Sequence, residues 1–208
     1  MNNKCIIFIV RHTQTIGNIE NRLTGRHDYI ITPKGRKYIN CLTKELKNIK
    51  FDIIYSSTSK RAIKTVKKLS QINRKRIIEN DNLREMDFGI YDGWKWKKVN
   101  KINPKIKEFQ IEKNEICGIP NQETTKEVAD RMYKEIEKIA KLNIGKIILI
   151  SSHGVAIEAF LRKVANVSFD KQREKFCQQN TAINEVEYNN GSFKIIRLAD
   201  MNHININK

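Results

Sequence analysis

Two histidines and two arginines of this sequence stand where strand-like runs end. The run Cys5–Val10 leads straight into Arg11-His12-Thr13-Gln14-Thr15, and Phe51–Tyr55 leads into Ser56-Ser57 and then Arg61. Lys146–Ser151 leads into Ser152-His153-Gly154. One histidine after a strand is ordinarily a structural residue with its bonds satisfied. Two of the chain's 4 histidines at such ends, each with an arginine near, suggest a common site. Guanidinium forks bind phosphate oxygens bidentately and keep their charge at any working pH. Their field also favours neutral imidazole, the form able to attack phosphorus. The phosphoramidate so formed can be opened by water, and the reaction then lacks only an acid for the leaving oxygen. Leu83-Arg84-Glu85-Met86-Asp87-Phe88-Gly89 offers Glu85, flanked by apolar residues in a loop-like stretch. The chemistry these residues suggest is phosphoryl transfer with a histidine as nucleophile.

A competing nucleophile can be set aside. Cys5 and Arg11 fit the Cys-x5-Arg spacing of cysteine-based phosphatases, which requires a curled loop whose amides surround phosphate. Here the intervening residues are Ile-Ile-Phe-Ile-Val, an extended segment. At about 3.3 Å per residue its ends lie roughly 20 Å apart.

Positioning these residues requires strands that end on one rim. Cys5–Val10 has the continuous β-prone character of a strand buried on both faces. Thr32-Pro33 opens a helix with an N-cap and a proline at its first position, and its stripe is Tyr38, Ile39, Leu42, Leu46 and Ile49. A second helix starts near Ser59, and Ile77-Ile78 reads as a short strand. Thr124-Thr125-Lys126-Glu127 resembles a capping box, opening a helix that buries Val128, Met132, Ile136, Ile139 and Ala140. Val155–Val164 is a further helix. Asn184–Tyr188 and Phe193–Leu198 flank Asn189-Asn190-Gly191, a hairpin signal. The expected fold is α/β: a single three-layer domain over residues 1–208, with a mostly parallel central sheet, helices on both faces and an antiparallel strand near the C-terminus. Residues 89–123 are expected to form a less regular excursion covering the active site. Right-handed crossovers then bring the strand-to-helix turns to one rim, where such sheets bind ligands.

Composition narrows the partners. At 208 residues the chain can bury a core without staples, and 39% hydrophobic residues with 3 prolines mark no linker. The four cysteines, Cys5, Cys41, Cys117 and Cys177, form no CxxC pair, which suits reduced thiols and a cytoplasmic location. No apolar run reaches the length of a membrane span. The formal net charge of +17 comes from scattered lysines. The densest basic run, Lys67 to Arg76, has no interleaved aromatics on which bases could stack. A solvated basic surface that attracts small phosphorylated substrates is therefore expected, rather than a nucleic-acid or membrane partner. Oligomeric state is open.

The run from Ile9 to Gly35 resembles the histidine phosphatase superfamily, the phosphoglycerate-mutase-like family, whose hallmark is Arg-His-Gly-(Glu/Gln)-Thr. Here it stands as Arg11-His12-Thr13-Gln14-Thr15, continued by Asn18, Arg22, Gly25, Asp28 and Thr32-Pro33-x-Gly35. Tyr55-Ser56-Ser57, Arg61-Ala62, Thr65, Leu83-x-Glu85-x-x-Phe88-Gly89-x-x-x-Gly93, Ser152-His153-Gly154 and Asn180-Thr181 complete the match in order. The resemblance implies a catalytic set of His12, Arg11, Arg61, Glu85 and His153. His12 would carry the phosphoryl group in a pocket of Arg11, Arg61 and His153. Glu85 would protonate the leaving group and then activate water, as in the family's Glu-acid branch. Asn18, Thr24, Gly25 and Gly154 would face the substrate, and neither metal nor cofactor is implied.

The expected activity is hydrolysis of a small phosphomonoester. A cofactor-dependent phosphoglycerate mutase is the alternative, but mutases of this family carry a basic, aromatic-containing insert that the stretch from Phe88 to Thr124 is too short to match. A non-catalytic phosphate- or nucleic-acid-binding protein on the same fold is a third reading. Thr13 stands where the family has glycine, so either the turn keeps a negative φ or activity is altered. Glu123 could brace the site or simply begin a helix. Trp94 and Trp96 could wall the pocket or pack on the sheet. His27 and His203 are expected at the surface, and Cys117 has no evident partner. The natural substrate is not legible.

Overall fold

The computed structural model describes residues 3–106, 118–169 and 173–205, so residues 107–117 of the expected excursion, Cys117 among them, lie outside it. Six strands form one sheet: β1 (Lys4–Arg11), β2 (Ile53–Ser56), β3 (Ile77–Glu79), β4 (Ile147–Ser152), β5 (Ile183–Asn189) and β6 (Ser192–Asp200). Their order is β3-β2-β4-β1-β5-β6. The pairs β3/β2, β2/β4 and β4/β1 are parallel, whereas β5 runs antiparallel to both β1 and β6. The β5–β6 hairpin turns through Asn190 and Gly191, both at positive φ, as the Asn-Asn-Gly signal requires.

The helices of length are α2 (Pro33–Leu46), α3 (Lys60–Asn73), α5 (Thr125–Lys141) and α6 (Gly154–Ala165); α1 (Ile16–Ile19), α4 (Trp96–Ile102), α7 (Arg173–Phe176) and α8 (Asn202–Asn205) are short. Thr32 caps α2 by accepting from the Gly35 amide, with Pro33 at the first position. Thr124 and Glu127 form the capping box of α5. β1 shows why the sheet needs helices on both faces. Its Cys5, Ile7 and Ile9 belong to a core shared with Val128, Met132, Ile136 and Ile157, while Phe8 and Val10 pack with Leu42, Leu46, Val66 and Leu69. At about 1.5–3 kcal/mol for each large apolar side chain removed from water, these two cores anchor the strands.

The central strands end level with one another. Arg11 lies opposite Ser152, and Ser151 opposite Ser56. The ladder continues one step further, His12 N donating to Ser152 O and Ser57 N to Ser151 O, each at 2.9 Å. The backbone hydrogen bonds of the sheet therefore set His12, Ser57 and the approach to His153 side by side.

Candidate active site

His12 follows the last residue of β1 and is 1% exposed. Its Nδ1 lies 2.7 Å from the Thr13 carbonyl oxygen. A carbonyl only accepts, so Nδ1 carries the proton and Nε2 the lone pair. Burial pushes the His12 pKa well below the usual imidazole value, with Arg61 and then Arg11 adding to that. The ring is thereby held neutral, with its lone pair at Nε2.

His153 precedes α6 and is fully buried, its ring centroid 5.2 Å from that of His12. Arg61 Nη2 lies 3.0 Å from its Nδ1, and Ser57 Oγ lies 2.6 Å from its Nε2. Arginine can only donate, so Nδ1 accepts and the Nε2 proton goes to Ser57. Burial first, then Arg61, lowers this pKa well below the usual value as well. Both imidazoles are thus neutral, in opposite tautomers.

Arg61, 1% exposed in the first turn of α3, is held by many acceptors. Nη1 donates to His27 O at 2.7 Å and Asp28 Oδ1 at 3.1 Å; Nη2 donates to Thr24 O and Gly25 O. Asp28 also accepts from the Lys60 and Arg61 amides, completing the start of α3 from outside the helix. Arg11 donates through Nη1 to Gln178 O. Its guanidinium lies against Gly154, where an added Cβ would come within 3.3 Å of Arg11 Cζ. Among the described residues neither Arg11 Nε nor Arg61 Nε has a hydrogen-bond partner, although both are buried. A buried donor without an acceptor costs about 1–3 kcal/mol, and more when charged. An anion bound between them would supply what is missing.

Glu85, 8% exposed, lies at the start of α6. Its Oε1 accepts from Ala156 N (2.9 Å) and Met86 N (3.0 Å), and Oε2 accepts from Val155 N (3.2 Å). The loop that carries it is tied to α5. Arg131 donates to both oxygens of Glu123, each at 2.8 Å, and to the carbonyls of Asn82 and Arg84; Glu123 in turn accepts from the Asp87 amide. Glu135, 8% exposed on α5, accepts from the side chains of Asn80 and Asn82. Glu123 is therefore a brace as well as a residue before a helix. The sequence reading missed Arg131 and Glu135. Glu135 carried a signal, since it falls on the apolar stripe of α5 beside Met132, Ile136 and Ile139.

An open cleft of about 400 Å³ is lined among others by Arg11, Asn18, Thr24, Glu85 and Gly154; the buried His12, Arg61 and His153 are not among its lining residues. Asn18 accepts through Oδ1 from Thr15 and Asn180, and Asn180 also donates to His12 O. Gly25 does not line the cleft; its carbonyl holds Arg61 and its amide donates to Asp92 at 2.7 Å. Trp96 lines the cleft with Phe88, whereas Trp94 packs against Tyr91 with Lys98 over its ring.

Thr13 is fully buried with negative φ, donating from Oγ1 to Gly35 O and from its amide to Thr65 Oγ1. Its side chain is bonded to the start of α2. Gly35 is needed at that junction, because a Cβ there would sit 2.3 Å from Gln14 O. His27 is exposed, but His203 is only 4% exposed and pairs through Nε2 with Thr181 Oγ1. His203 lies on α8, which packs against α2. Cys5 is buried in β1, and desolvation pushes its thiol up to about 11, leaving no thiolate to act.

Known proteins resemble this chain along most of its length. The family profile described as the histidine phosphatase superfamily (branch 1) matches residues 7–201. The chain is 25% identical to the "Uncharacterized phosphatase PhoE" of Bacillus subtilis, covering 91% of each chain. It is 26% identical to the "Probable phosphoglycerate mutase GpmB" of Proteus mirabilis, covering 88% of this chain and 85% of that one. Among solved structures, Bacillus stearothermophilus YhfR superposes with a TM-score of 0.90 at 24% identity, over 96% of this chain and 99% of that one. Among the described residues no helix is long and apolar enough to cross a membrane.

Proposed function

Because this chain belongs to the histidine phosphatase superfamily (branch 1), we propose that it hydrolyses a small phosphomonoester without metal, through a phosphohistidine on His12. One observation carries the reading. A neutral imidazole with its Nε2 lone pair stands in a layer where two buried guanidiniums each keep an unpartnered Nε–H.

In the first step Nε2 of His12 attacks phosphorus, forming the P–N bond as the ester P–O bond breaks. Glu85 gives its proton to the departing alkoxide, a contribution of about 10²–10⁴ in rate for a well-placed acid. In the second step Glu85 takes a proton from water, whose oxygen bonds to phosphorus as the P–N bond breaks, and inorganic phosphate leaves. Arg11 and Arg61 stabilise the equatorial oxygens throughout. His153 acts through Arg61, whose Nη2 it accepts, and so positions the guanidinium. Asn18, Thr24 and Gly154 form the substrate side, while Gly25 serves by holding Arg61.

The likeness to GpmB, as high as that to PhoE, keeps a mutase reading worth testing. Brief incubation with ³²P-labelled substrate separates the outcomes. Acid-labile label on the wild type, absent from His12→Ala, with release of inorganic phosphate supports the hydrolase. Transfer of label to a second phosphoglycerate hydroxyl supports the mutase, and label retained by His12→Ala refutes both.

A further inference from the structure

The turn that enters β5 beside the nucleophile holds a backbone conformation that the proposed reaction leaves unexplained. Thr181 is fully buried and has φ +66°. Among the described residues it is the one β-branched side chain in the left-handed region; the others there are glycines, asparagines, an arginine and an alanine. That region crowds a β-branched Cβ, and such a residue persists only where its surroundings hold it. Strained residues of this kind gather at reactive sites, where they aim a neighbour.

The neighbour here is Asn180, which lines the cleft and donates through its side-chain amide to His12 O at 3.0 Å and Asn18 Oδ1 at 3.4 Å. The Thr181 amide donates to Arg11 O, and the Arg11 amide to Ala182 O, each at 3.2 Å. The left-handed turn thus ties the end of β1 to the start of β5 and sets one amide on the carbonyl of the nucleophile. A return of Thr181 to negative φ would rotate the Asn180–Thr181 peptide and carry the Asn180 side chain off both partners.

His203 holds the turn. It is 4% exposed, and burial lowers its pKa below the usual imidazole value, so the ring is neutral with a single N–H. The Thr181 hydroxyl gives its proton to Asn180 O at 2.6 Å, which leaves Oγ1 to accept from His203 Nε2 at 3.1 Å. The hydroxyl is bonded on both sides only while Thr181 keeps this conformation.

We propose that His203 is a positioning residue for the reaction at His12: it clamps Thr181 in the left-handed region and so keeps Asn180 on the His12 carbonyl and beside Asn18. The inference rests on the phosphatase reading above. Neither His203 nor Thr181 lines the cleft, so their effect on rate passes through Asn180.

The test measures the rate of phosphohistidine labelling and the turnover of p-nitrophenyl phosphate, with the urea midpoint of each variant alongside. His203→Ala should slow labelling about tenfold at a temperature where the variant stays folded, within the roughly 10²-fold that about 1 Å of misplacement costs. His203→Gln, whose amide again offers a donor to Thr181 Oγ1, should recover most of that loss. In a Thr181→Gly background, where a left-handed residue needs no clamp, His203→Ala should change the labelling rate by less than about twofold. A lower urea midpoint with an unchanged labelling rate in His203→Ala overturns the positioning role alone. An equal loss of rate in both backgrounds, or no recovery by a His203→Gln variant whose urea midpoint is restored, does the same. Wild type and His12→Ala equally inert on phosphoesters would instead sink the phosphatase reading, and the positioning role with it.

Discussion

His12 and His153 occupy equivalent places, each one residue past a central parallel strand, and their rings lie 5.2 Å apart. Their neighbours give them different work. The Thr13 carbonyl can only accept, so it holds the proton of His12 at Nδ1 and leaves the lone pair at Nε2. Arg61 can only donate, so it occupies Nδ1 of His153, and Ser57 engages the other nitrogen. Position after a strand brings a histidine to the rim. The donor or acceptor character of its first neighbour decides its tautomer, and with it which role it would take in the proposed reaction.

Substitutions at the two rings should separate sharply. His12→Ala is expected to reduce turnover to background and to abolish acid-labile phosphate labelling. Arg61→Ala, which removes charge from the phosphate site and the partner of His153, should lower kcat/KM on the order of 10³ by analogy with phosphoryl-clamping arginines. His153→Ala should cost less, on the order of 10², as removal of one preorganised electrostatic contact typically does. Labelling should still reach full stoichiometry in that variant, only more slowly. If labelling were lost with His153 and kept without His12, the assignment of the two rings would be inverted.

The smallest effect is on stability. Both rings have folded-state pKa values below the ordinary imidazole value, so the unfolded chain binds protons that the folded chain refuses. Stability contributed by neutral His12 and His153 is present above about pH 6.5 and is lost as pH falls below it. Each histidine adds a slope of about 1.4 kcal/mol per pH unit in that acid range. Urea denaturation between pH 7.5 and 5 should show the loss, and replacing either histidine by alanine should flatten it. A slope unchanged in both variants would mean the rings are protonated in the fold.

Much of the scaffold was legible along the chain because it rests on local patterns. The apolar runs, the Thr32-Pro33 and Thr124–Glu127 helix starts and the Asn-Gly turn each describe contacts within a few residues, and the strands and helices follow them. His12, Arg61, Glu85 and His153 stood out because strand ends and the family pattern marked them. Less legible was what lay across the fold. Arg131 is 46 residues after Glu85, and no periodicity announces that it grips the Glu85 loop through Asn82 and Arg84. Thr13 looked like an intrusion into a phosphate loop, yet Gly35 supplies a carbonyl for its hydroxyl. His203, polar and near the C-terminus, is buried where Thr181 provides a partner.

By itself the sequence determined which residue types could transfer a phosphoryl group and that parallel strands would carry them to one rim. Strand and helix periodicity is local, and arginine, histidine and carboxylate chemistry is intrinsic to each side chain. Only the tertiary structure decided the tautomer of each histidine and the unpartnered Nε–H groups of Arg11 and Arg61. Those properties depend on which donors and acceptors meet from distant segments, and on how far water is excluded where they meet.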